Sequence, residues 1–339
     1  MLFTTSLYRD LRDSDYGLLY QYLRRRTDYA FYFSQQRTWY PFQYNDYTTG
    51  IYESGLVERR EIYLGGFASR PTSQYRRFEF GAEYLSTQQS ILYDYVGSGG
   101  PSASATEAKS EAILTNAAVV HDNTLWNVFG PVVGTRWRTT LYAAPPRLNE
   151  APFGVLTADW RRYWRVSRNT SFAFRLSAGS SFAQDKRNAP LFYVGGLPYW
   201  INYGYANFPS DQIVNDSFSQ FVFPLRGTDY YELRGRTYAI MNLEYRFPFI
   251  YLLATGPFGF VLDNVGGVVF LDIARVWDDP TQPANPAFPR HSQGPLGGYG
   301  YGIRINLGVV VLRIDVAWKT DLRETMGSAR YYWSLGYDF

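Results

Sequence analysis

The chain has 339 residues, 46% of them hydrophobic, yet its mean hydropathy is -0.29. No stretch forms the apolar run of about 20 residues that a membrane-spanning helix needs, which excludes a helical membrane protein. The 33 Lys and Arg residues are scattered among 30 Asp and Glu residues, so the basic face that nucleic acid requires is also excluded. The absence of cysteine excludes disulfides, thiolate catalysis and cysteine metal sites.

Aromatic residues are abundant, with 31 Tyr, 24 Phe and 9 Trp making up 19% of the chain. Transmembrane barrels place such rings in girdles at both membrane interfaces, where the ring body meets lipid and the polar tip meets water. This composition favours a transmembrane barrel. Composition alone leaves a soluble all-β sandwich or propeller open as the alternative.

The repeated unit of the sequence is a segment of about ten residues in which polar and apolar side chains alternate between turn residues. We predict an all-β fold, a transmembrane antiparallel β-barrel of about fourteen strands that forms a single domain over residues 1–339. In chain order the predicted strands lie near residues 2–9, 15–26, 28–37, 56–69, 75–86, 111–121, 132–143, 153–166, 170–183, 236–247, 266–277, 298–307, 309–319 and 330–339.

The alternation is clearest in the last strand and weakest near residues 56–69. One face of the last strand carries Tyr331, Trp333, Leu335, Tyr337 and Phe339, and the opposite face carries Tyr332, Ser334, Gly336 and Asp338. The first face suits lipid and the second suits water. The segment 56–69 instead has four consecutive charged residues, Glu58, Arg59, Arg60 and Glu61, and its assignment as a strand is the least secure.

The predicted connections differ in length. Tight turns are expected at 26–28, 71–74, 166–170 and 307–309, and long loops at 38–55, 87–110, 184–235 and 278–296. Short turns at one end and long loops at the other are typical of an outer-membrane barrel. The two-residue alternation also places charged side chains on the inner face of the predicted barrel. A hydrated lumen would largely remove the free-energy cost that these charges would have in a dry core. They are Arg175, Glu244, Arg304, Arg313 and Asp315.

Three motifs follow one another after residue 184. The loop contains Phe223-Pro-Leu-Arg-Gly-Thr228, the next strand reads Asn242-Leu-Glu-Tyr-Arg-Phe-Pro248, and the strand after it reads Phe270-Leu-Asp-Ile-Ala-Arg-Val-Trp277. In this order the motifs resemble those of the BamA/TamA family of outer-membrane assembly and translocation barrels. Two residues depart from the family pattern: Thr228 replaces an aromatic residue and Arg275 replaces a glycine.

The resemblance implies that loop 184–235 is extracellular and folds into the lumen. The loop arginine of the family meets acidic residues of the next two strands, so Arg226, followed by Gly227, is expected to pair with Glu244 and Asp272. A guanidinium fork can hold paired carboxylates and thereby fix a long loop to the wall. Arg234, in a second Leu-Arg-Gly, is the rival candidate, and a solvated Arg226 is the alternative without function.

By the same resemblance the chain corresponds to strands 3 to 16 of a sixteen-stranded barrel. The first two strands and any periplasmic domains would then lie upstream of Met1, and the absence of a recognisable signal peptide agrees with a longer chain. In the family the lateral seam joins the first and last strands. We therefore expect the outward residues Tyr331, Trp333, Leu335, Tyr337 and Phe339 to lie at the near side of that seam.

The implied function is insertion or translocation of proteins at the bacterial outer membrane, without an enzymatic step or a cofactor. Expected partners are outer-membrane lipid and lipopolysaccharide, client proteins and subunits of a complex, but no nucleic acid. The alternatives are a passive pore, or a membrane anchor within a larger outer-membrane complex. An outer-membrane hydrolase is disfavoured because nothing pairs a nucleophile with His121 or His291, and the spacing of Asp263, Asp278 and Asp279 matches no metal-binding loop.

Overall fold

The computed structural model describes most of the chain, in eleven segments: residues 2–6, 14–46, 51–94, 105–127, 130–167, 170–201, 218–230, 232–255, 260–278, 294–308 and 310–336. Eighteen strands lie in these segments. They are β1 (Leu2–Ser6), β2 (Asp15–Tyr22), β3 (Asp28–Asp46), β4 (Ile51–Pro71), β5 (Arg76–Asp94), β6 (Ala105–Asp122), β7 (Leu125–Asn127), β8 (Gly130–Ala144), β9 (Phe153–Arg165), β10 (Ser171–Ala183), β11 (Phe192–Val194), β12 (Gln220–Val222), β13 (Leu233–Gly235), β14 (Thr237–Thr255), β15 (Phe260–Trp277), β16 (Leu296–Asn306), β17 (Val311–Thr320) and β18 (Thr325–Leu335).

Fourteen of these strands pair with their neighbours in one antiparallel sheet. Its order is β1-β2-β3-β4-β5-β6-β8-β9-β10-β14-β15-β16-β17-β18, and β7 pairs with β8 beside this path. The predicted all-β fold with about fourteen antiparallel strands is confirmed. Among the described residues, no ladder joins β1 to β18. The described residues also contain no helix with the length and apolarity to cross a bilayer.

The long segment between β10 and β14 packs against one face of this sheet, which we call the inner face. Within the segment, β11 pairs in parallel with β12 and antiparallel with β13 to form a small three-stranded sheet. A short 3-10 turn, Lys186–Asn188, precedes this small sheet. The hydrophobic core lies where the small sheet meets the inner face, and includes Leu114, Val155, Phe192, Val194, Val222, Leu225, Leu233, Ile240 and Leu296.

Side-chain exposure in the last strands follows the predicted alternation. In β18 Tyr331 and Trp333 are exposed, whereas Tyr332 and Ser334 between and beside them are fully buried. In β17 the residues Val311, Arg313, Asp315 and Ala317 are all buried on the inner face. Because successive side chains of a strand point to opposite faces, these strands present rings outward and polar groups inward. Tyr337 and Phe339 lie outside the described residues.

Two of the predicted long loops are wrong. β3 continues to Asp46 and β4 begins at Ile51, so most of 38–55 is strand; β5 continues to Asp94 and β6 begins at Ala105, which shortens 87–110 in the same way. The ladder between β3 and β4 runs without a break from the pair Asp28 and Ser69 to the pair Asp46 and Ile51. Backbone hydrogen bonds extend a hairpin whether or not its side chains alternate, so the polarity pattern understates its length.

Candidate functional site: the loop docked on the inner face

Arg226 lies at the centre of the contact between the loop and the inner face, and its side chain is 1% exposed. Two features of the turn place it there. The preceding Leu225 forms an isolated bridge with Gly196, and Gly227 adopts a φ of 91°, a left-handed conformation that favours glycine. The hydroxyl of Thr228 donates to the carbonyl of Leu225 at 2.6 Å and closes the turn. Local backbone geometry therefore directs Arg226 at the wall.

The guanidinium of Arg226 binds two carboxylates on adjacent strands. Its Nε and Nη2 donate to the two oxygens of Asp272 at 2.6 and 2.7 Å, and its Nη1 donates to Oε1 of Glu244 at 2.7 Å. The backbone N–H of Arg226 also donates to Asp272, at 3.0 Å. Both carboxylates have fully buried side chains. We call Arg226, Glu244 and Asp272 the arginine triad.

The triad is completed by neighbours that satisfy its remaining polar atoms. Asn242 donates to Oδ1 of Asp272 at 2.8 Å and to the carbonyl of Pro224 at 2.9 Å. Arg246 donates through Nε and Nη2 to the second oxygen of Glu244, at 2.9 and 2.7 Å. The Phe270 ring lies beneath the Arg226 guanidinium, with 3.6 Å between the guanidinium carbon and the ring centroid. All four carboxylate oxygens therefore have donors, which offsets the cost of burying the charges.

A second group of contacts holds the loop against β17 and β18. The N–H of Gly227 donates to the Tyr332 hydroxyl at 2.7 Å, and that hydroxyl donates to the carbonyl of Thr228 at 2.9 Å. Ion pairs join Glu232 to Lys319 and Asp229 to Arg330. The docked loop thus spans from β14 and β15, through the triad, to the last two strands.

Inward glycines of β16 leave room for this docking. A Cβ atom at Gly298 would overlap the carbonyl of Arg226, and at Gly227 a Cβ would approach the Cα of Gly298 to 3.2 Å. Gly300 and Gly302, two and four residues further along β16, are equally crowded by neighbouring strand atoms. The loop backbone can reach the wall because β16 carries no side chain on its inner face at Gly298.

The structure brings together Arg226, Gly227, Glu244 and Asp272, the four residues that the sequence motifs placed in the loop contact. The rival Arg234 lies in β13, opposite Tyr193, and is buried there. The two departures from the family pattern have structural explanations. Thr228 is fully buried and donates within its turn, whereas Arg275 is on the outward face, with its guanidinium 5.3 Å from the Trp277 ring centroid.

The expectation of water-solvated charges on the inner face requires correction, because the inner residues are buried and paired. Arg304 binds Asp315 at 2.7 Å, Arg175 binds Asp159 at 2.7 Å, and Arg313 donates to the Ser334 hydroxyl at 3.0 Å. The register of β16 and β17 explains part of this pairing. Arg304 lies opposite Arg313 and Gly302 lies opposite Asp315, so Arg304 and Asp315 are diagonal neighbours on the same face. Sequence parity identified the face of each residue but not its partner.

Sequence analysis did not identify Tyr332, Gly298 and Asn242 as members of the site. The alternation put Tyr332 on the face of the last strand that was expected to suit water, and a large ring on that face is the signal that could have indicated a docked element. His121, by contrast, stacks on Trp137 with 5.8 Å between ring centroids. Among the described residues, no cluster of three His, Asp or Glu side chains could hold a metal ion.

Comparison with known proteins agrees with this geometry. The Omp85 superfamily domain matches residues 22–339. This chain belongs to the Omp85 superfamily. A comparison with curated proteins found no match.

Solved structures share the fold at low sequence identity. BamA from Haemophilus ducreyi lacking POTRA domains 1–3 and CdiB from Escherichia coli each have a TM-score of 0.56 and 12% identity, over 95% of this chain. CdiB from Acinetobacter baumannii has a TM-score of 0.55, also at 12% identity over 95% of this chain. This chain spans 67%, 52% and 49% of those three chains. The fourteen antiparallel strands therefore belong to a transmembrane β-barrel, whose lumen is bounded by the inner face.

Proposed function

We propose that this Omp85 barrel assists the insertion or translocation of proteins at the bacterial outer membrane. Family membership over residues 22–339 supports the proposal, together with the BamA and CdiB barrels that share the fold. Its partners would be client proteins and further subunits of an outer-membrane complex, with lipid and lipopolysaccharide around the barrel. In this proposal loop 184–235 enters the lumen from the extracellular side.

The observation that carries the proposal is the buried arginine triad. It holds the loop against β14 and β15 while Gly227 and Thr228 are bound by Tyr332 of the last strand. A passive pore has no need of a loop that is fixed to two adjacent strands by charged groups excluded from water and is also bound to the last two strands. A machine that rearranges its last strand does need such a contact, because the loop then couples the wall to β18.

A reconstitution experiment tests the proposal against both alternatives. The full-length protein is placed in liposomes, and the rate at which an unfolded outer-membrane barrel protein acquires protease resistance is compared with that in empty liposomes. We expect faster insertion, together with little steady conductance in planar bilayers. Steady conductance without faster insertion would support the passive pore, and neither effect would support a membrane anchor.

A further inference from the structure

Two arginines are neighbours on the outer face of the sheet, close to the turn between β4 and β5. Arg70 lies directly opposite Phe78 in the ladder, and Arg76 precedes Phe78 by two residues, so the three side chains share one face. Phe78 is 40% exposed on that face. Arg70 and Arg76 are therefore diagonal neighbours, with Cα atoms about 7–8 Å apart, and one anion can bind both guanidinium groups.

Neither guanidinium group has a partner among the described residues. Both side chains are exposed, and within the described part of the chain neither forms a hydrogen bond or an ion pair. The outward residues of 64–70, 76–84 and 113–121, on the three strands around them, include no carboxylate. Two like charges at this separation repel each other, so an anion from outside these strands would stabilise the pair.

The outer face of β4 shows at which level of the membrane the two arginines lie. Arg60 and Arg70 are ten residues apart and both point outward. The outward residues between them are uncharged: Ile62, Leu64, Gly66 and Ala68. Ten residues of a strand rise about 33 Å, which a tilt of about 35–45° reduces to roughly 25 Å of height, the height of the apolar band of an outer-membrane barrel. Arg60 and Arg70 therefore mark the two boundaries of that band.

The arginine pair lies at the boundary where the connections are short. The strands β4 and β5 are joined by residues 72–75, and β9 and β10 by residues 166–170, whereas the long segment between β10 and β14 leaves the opposite end of the sheet. Short turns face the periplasm in outer-membrane barrels. The phosphate groups at this level are therefore those of phospholipids in the periplasmic leaflet.

Outward cations at the opposite boundary are paired within the chain. Arg60 and Lys109 lie on either side of Gln88 in the ladder and thus at one level. Arg60 contacts Glu58 at 3.8 Å, and Lys109 contacts Glu111 at 2.5 Å. Among the described residues of β4 to β6, the outward cations that lack a carboxylate are thus those at the periplasmic boundary.

Aromatic rings adjoin the arginine pair. Arg76 lies directly opposite His121, whose ring stacks on Trp137 with 5.8 Å between centroids and meets Tyr75 edge-on at 6.4 Å. Phe80, 54% exposed, continues the ring surface into the apolar band. Rings at the membrane interface contact the headgroup region of a lipid, while nearby cations attract its phosphate.

We propose that Arg70 and Arg76, with the rings of Tyr75, His121 and Trp137, form a binding site for an anionic phospholipid of the periplasmic leaflet. The exposed apolar wall next to the guanidinium groups suits acyl chains, which a free phosphate ion lacks. A zwitterionic headgroup would bring a third positive charge to the site, so a headgroup with net negative charge is preferred. The inference goes beyond the proposed function and shares with it only the orientation of the barrel.

The first test measures lipid selectivity by native mass spectrometry. The detergent-solubilised full-length protein is titrated with phosphatidylglycerol or phosphatidylcholine, and the Kd of the first bound lipid is compared. The test variant is Arg70→Gln with Arg76→Gln. The control is Arg60→Gln with Lys109→Gln, which removes the same charge from the other boundary.

We expect the unmodified protein and the control to prefer phosphatidylglycerol by about tenfold or more, because each arginine near an anionic headgroup contributes about fivefold. The test variant should lose this preference. Arg70→Lys with Arg76→Lys keeps both charges and should keep most of it. Heat-modifiable mobility in gel electrophoresis checks that each variant is folded.

The second test locates the lipid on the unmodified protein. A phosphatidylglycerol carrying a photoactivatable diazirine near its headgroup is included in liposomes that contain the full-length protein. After illumination and digestion, mass spectrometry should find adducts concentrated on peptides that contain residues 70–80 and 119–137. This result does not depend on the folding of a variant.

Equal preference for phosphatidylglycerol in the two glutamine variants would overturn the inference, as would adducts spread evenly around the barrel. Binding of lipid requires no client protein. If lipid selectivity responds as expected while reconstituted insertion fails, the lipid site stands and the proposed function fails. If insertion proceeds while lipid selectivity does not respond, the inference fails and the proposed function stands.

Discussion

The two faces of the large sheet carry different side chains in β14 to β18 than in β3 to β5. In β14 to β18 the inner face carries buried ion pairs and receives the loop, while exposed rings such as Tyr301 and Tyr331 occupy the outer face. In β3 to β5 charged residues occur on both faces near residues 58–61. The contrast shows that polar and apolar side chains alternate only where the two faces of a strand have different surroundings, so a strand can exist without the alternation.

Register shows where the environment of β3 and β4 changes. Arg37 and Arg60 are paired on the outer face and both contact Glu58, whereas Arg59 and Glu61 form an ion pair of 2.7 Å on the inner face. Leu64, two outward positions from Arg60, is 56% exposed. Charges on an outer face are not compatible with lipid, so the apolar band ends between Leu64 and Arg60. At about 3.3 Å per residue, β3 continues roughly 30 Å beyond that level.

The largest effect that would sharpen this comparison is expected from Arg226→Met. The substitution leaves Glu244 and Asp272 buried without their main cation, which costs about 3–5 kcal/mol of unfolding free energy. Urea unfolding in nanodiscs, followed by tryptophan fluorescence, measures it. Arg187→Met is the control, because Arg187 belongs to the same loop and pairs with Asp185 but has an 87% exposed side chain. Equal destabilisation by the two substitutions would contradict a structural role for the triad.

A charge placed on the outer face of β4 tests the other end of the sheet. Leu64→Arg puts a guanidinium into the apolar band and should destabilise the barrel by about 2 kcal/mol. The control is Ser90→Arg on the same face, which stands opposite Glu58 in the ladder and above the proposed band. Unfolding in lipid vesicles measures both. If Ser90→Arg costs as much as Leu64→Arg, the band extends past Arg60 and the boundary drawn here is wrong.

Gly298→Val tests whether the inner face of β16 must be bare for the loop to dock. The added side chain meets the carbonyl of Arg226 and must displace the loop, at a cost of about 1–3 kcal/mol. The expected result is faster proteolysis of loop 184–235 with an intact barrel, measured by limited digestion and mass spectrometry. Gly294→Ala is the control, because a Cβ at Gly294 meets no atom within 4 Å. Unchanged protection of the loop in Gly298→Val would refute close docking.

Tyr332→Phe should have the smallest effect of the four. It removes the hydroxyl that accepts from Gly227 and donates to Thr228, and leaves both buried groups without this partner, at about 1–2 kcal/mol. Amide exchange at Gly227, followed by mass spectrometry, should accelerate. Tyr331→Phe, on the exposed face of the same strand, should leave that exchange unchanged. Identical exchange in the two variants would exclude the hydroxyl from loop docking.

The strand boundaries were predicted better at the C-terminal end of the large sheet, in β16 and β17, than in β3 to β6. In β16 and β17 the strand positions and faces followed from alternation, because lipid on one side and buried polar groups on the other select the side chains. In β18 the faces followed in the same way, but the strand begins at Thr325 and not at the predicted residue 330. In β3 to β6 the predicted strands ended too early at 37 and 86 and began too late at 56 and 111. Outside the apolar band no such selection acts, so hydrogen bonding extends the hairpins without a pattern to reveal them.

The candidate site shows a comparable division. The order of the motifs, through the family resemblance, identified Arg226, Glu244 and Asp272, and the alternation of side chains placed Glu244 inward. Neither could choose the partners of Arg313 and Arg304, or place Trp200 at the edge of β18. The contacts of Arg304 with Asp315 and of Arg313 with Ser334 join side chains of neighbouring strands, whereas the contacts of Pro198 with Arg313 and of Trp200 with Ser334 depend on how a long loop folds back.

The sequence by itself determined an antiparallel barrel of about fourteen strands, with the inward and outward faces of its last strands, because a two-residue period follows directly from strand geometry. The tertiary structure decided which inward groups meet. In the folded chain Gly227 donates to the Tyr332 hydroxyl, the loop backbone lies against Gly298, and Trp200 forms a bridge with Ser334 of β18. These contacts arise from closing a long loop onto a curved wall, where distance along the chain carries little information about distance in space.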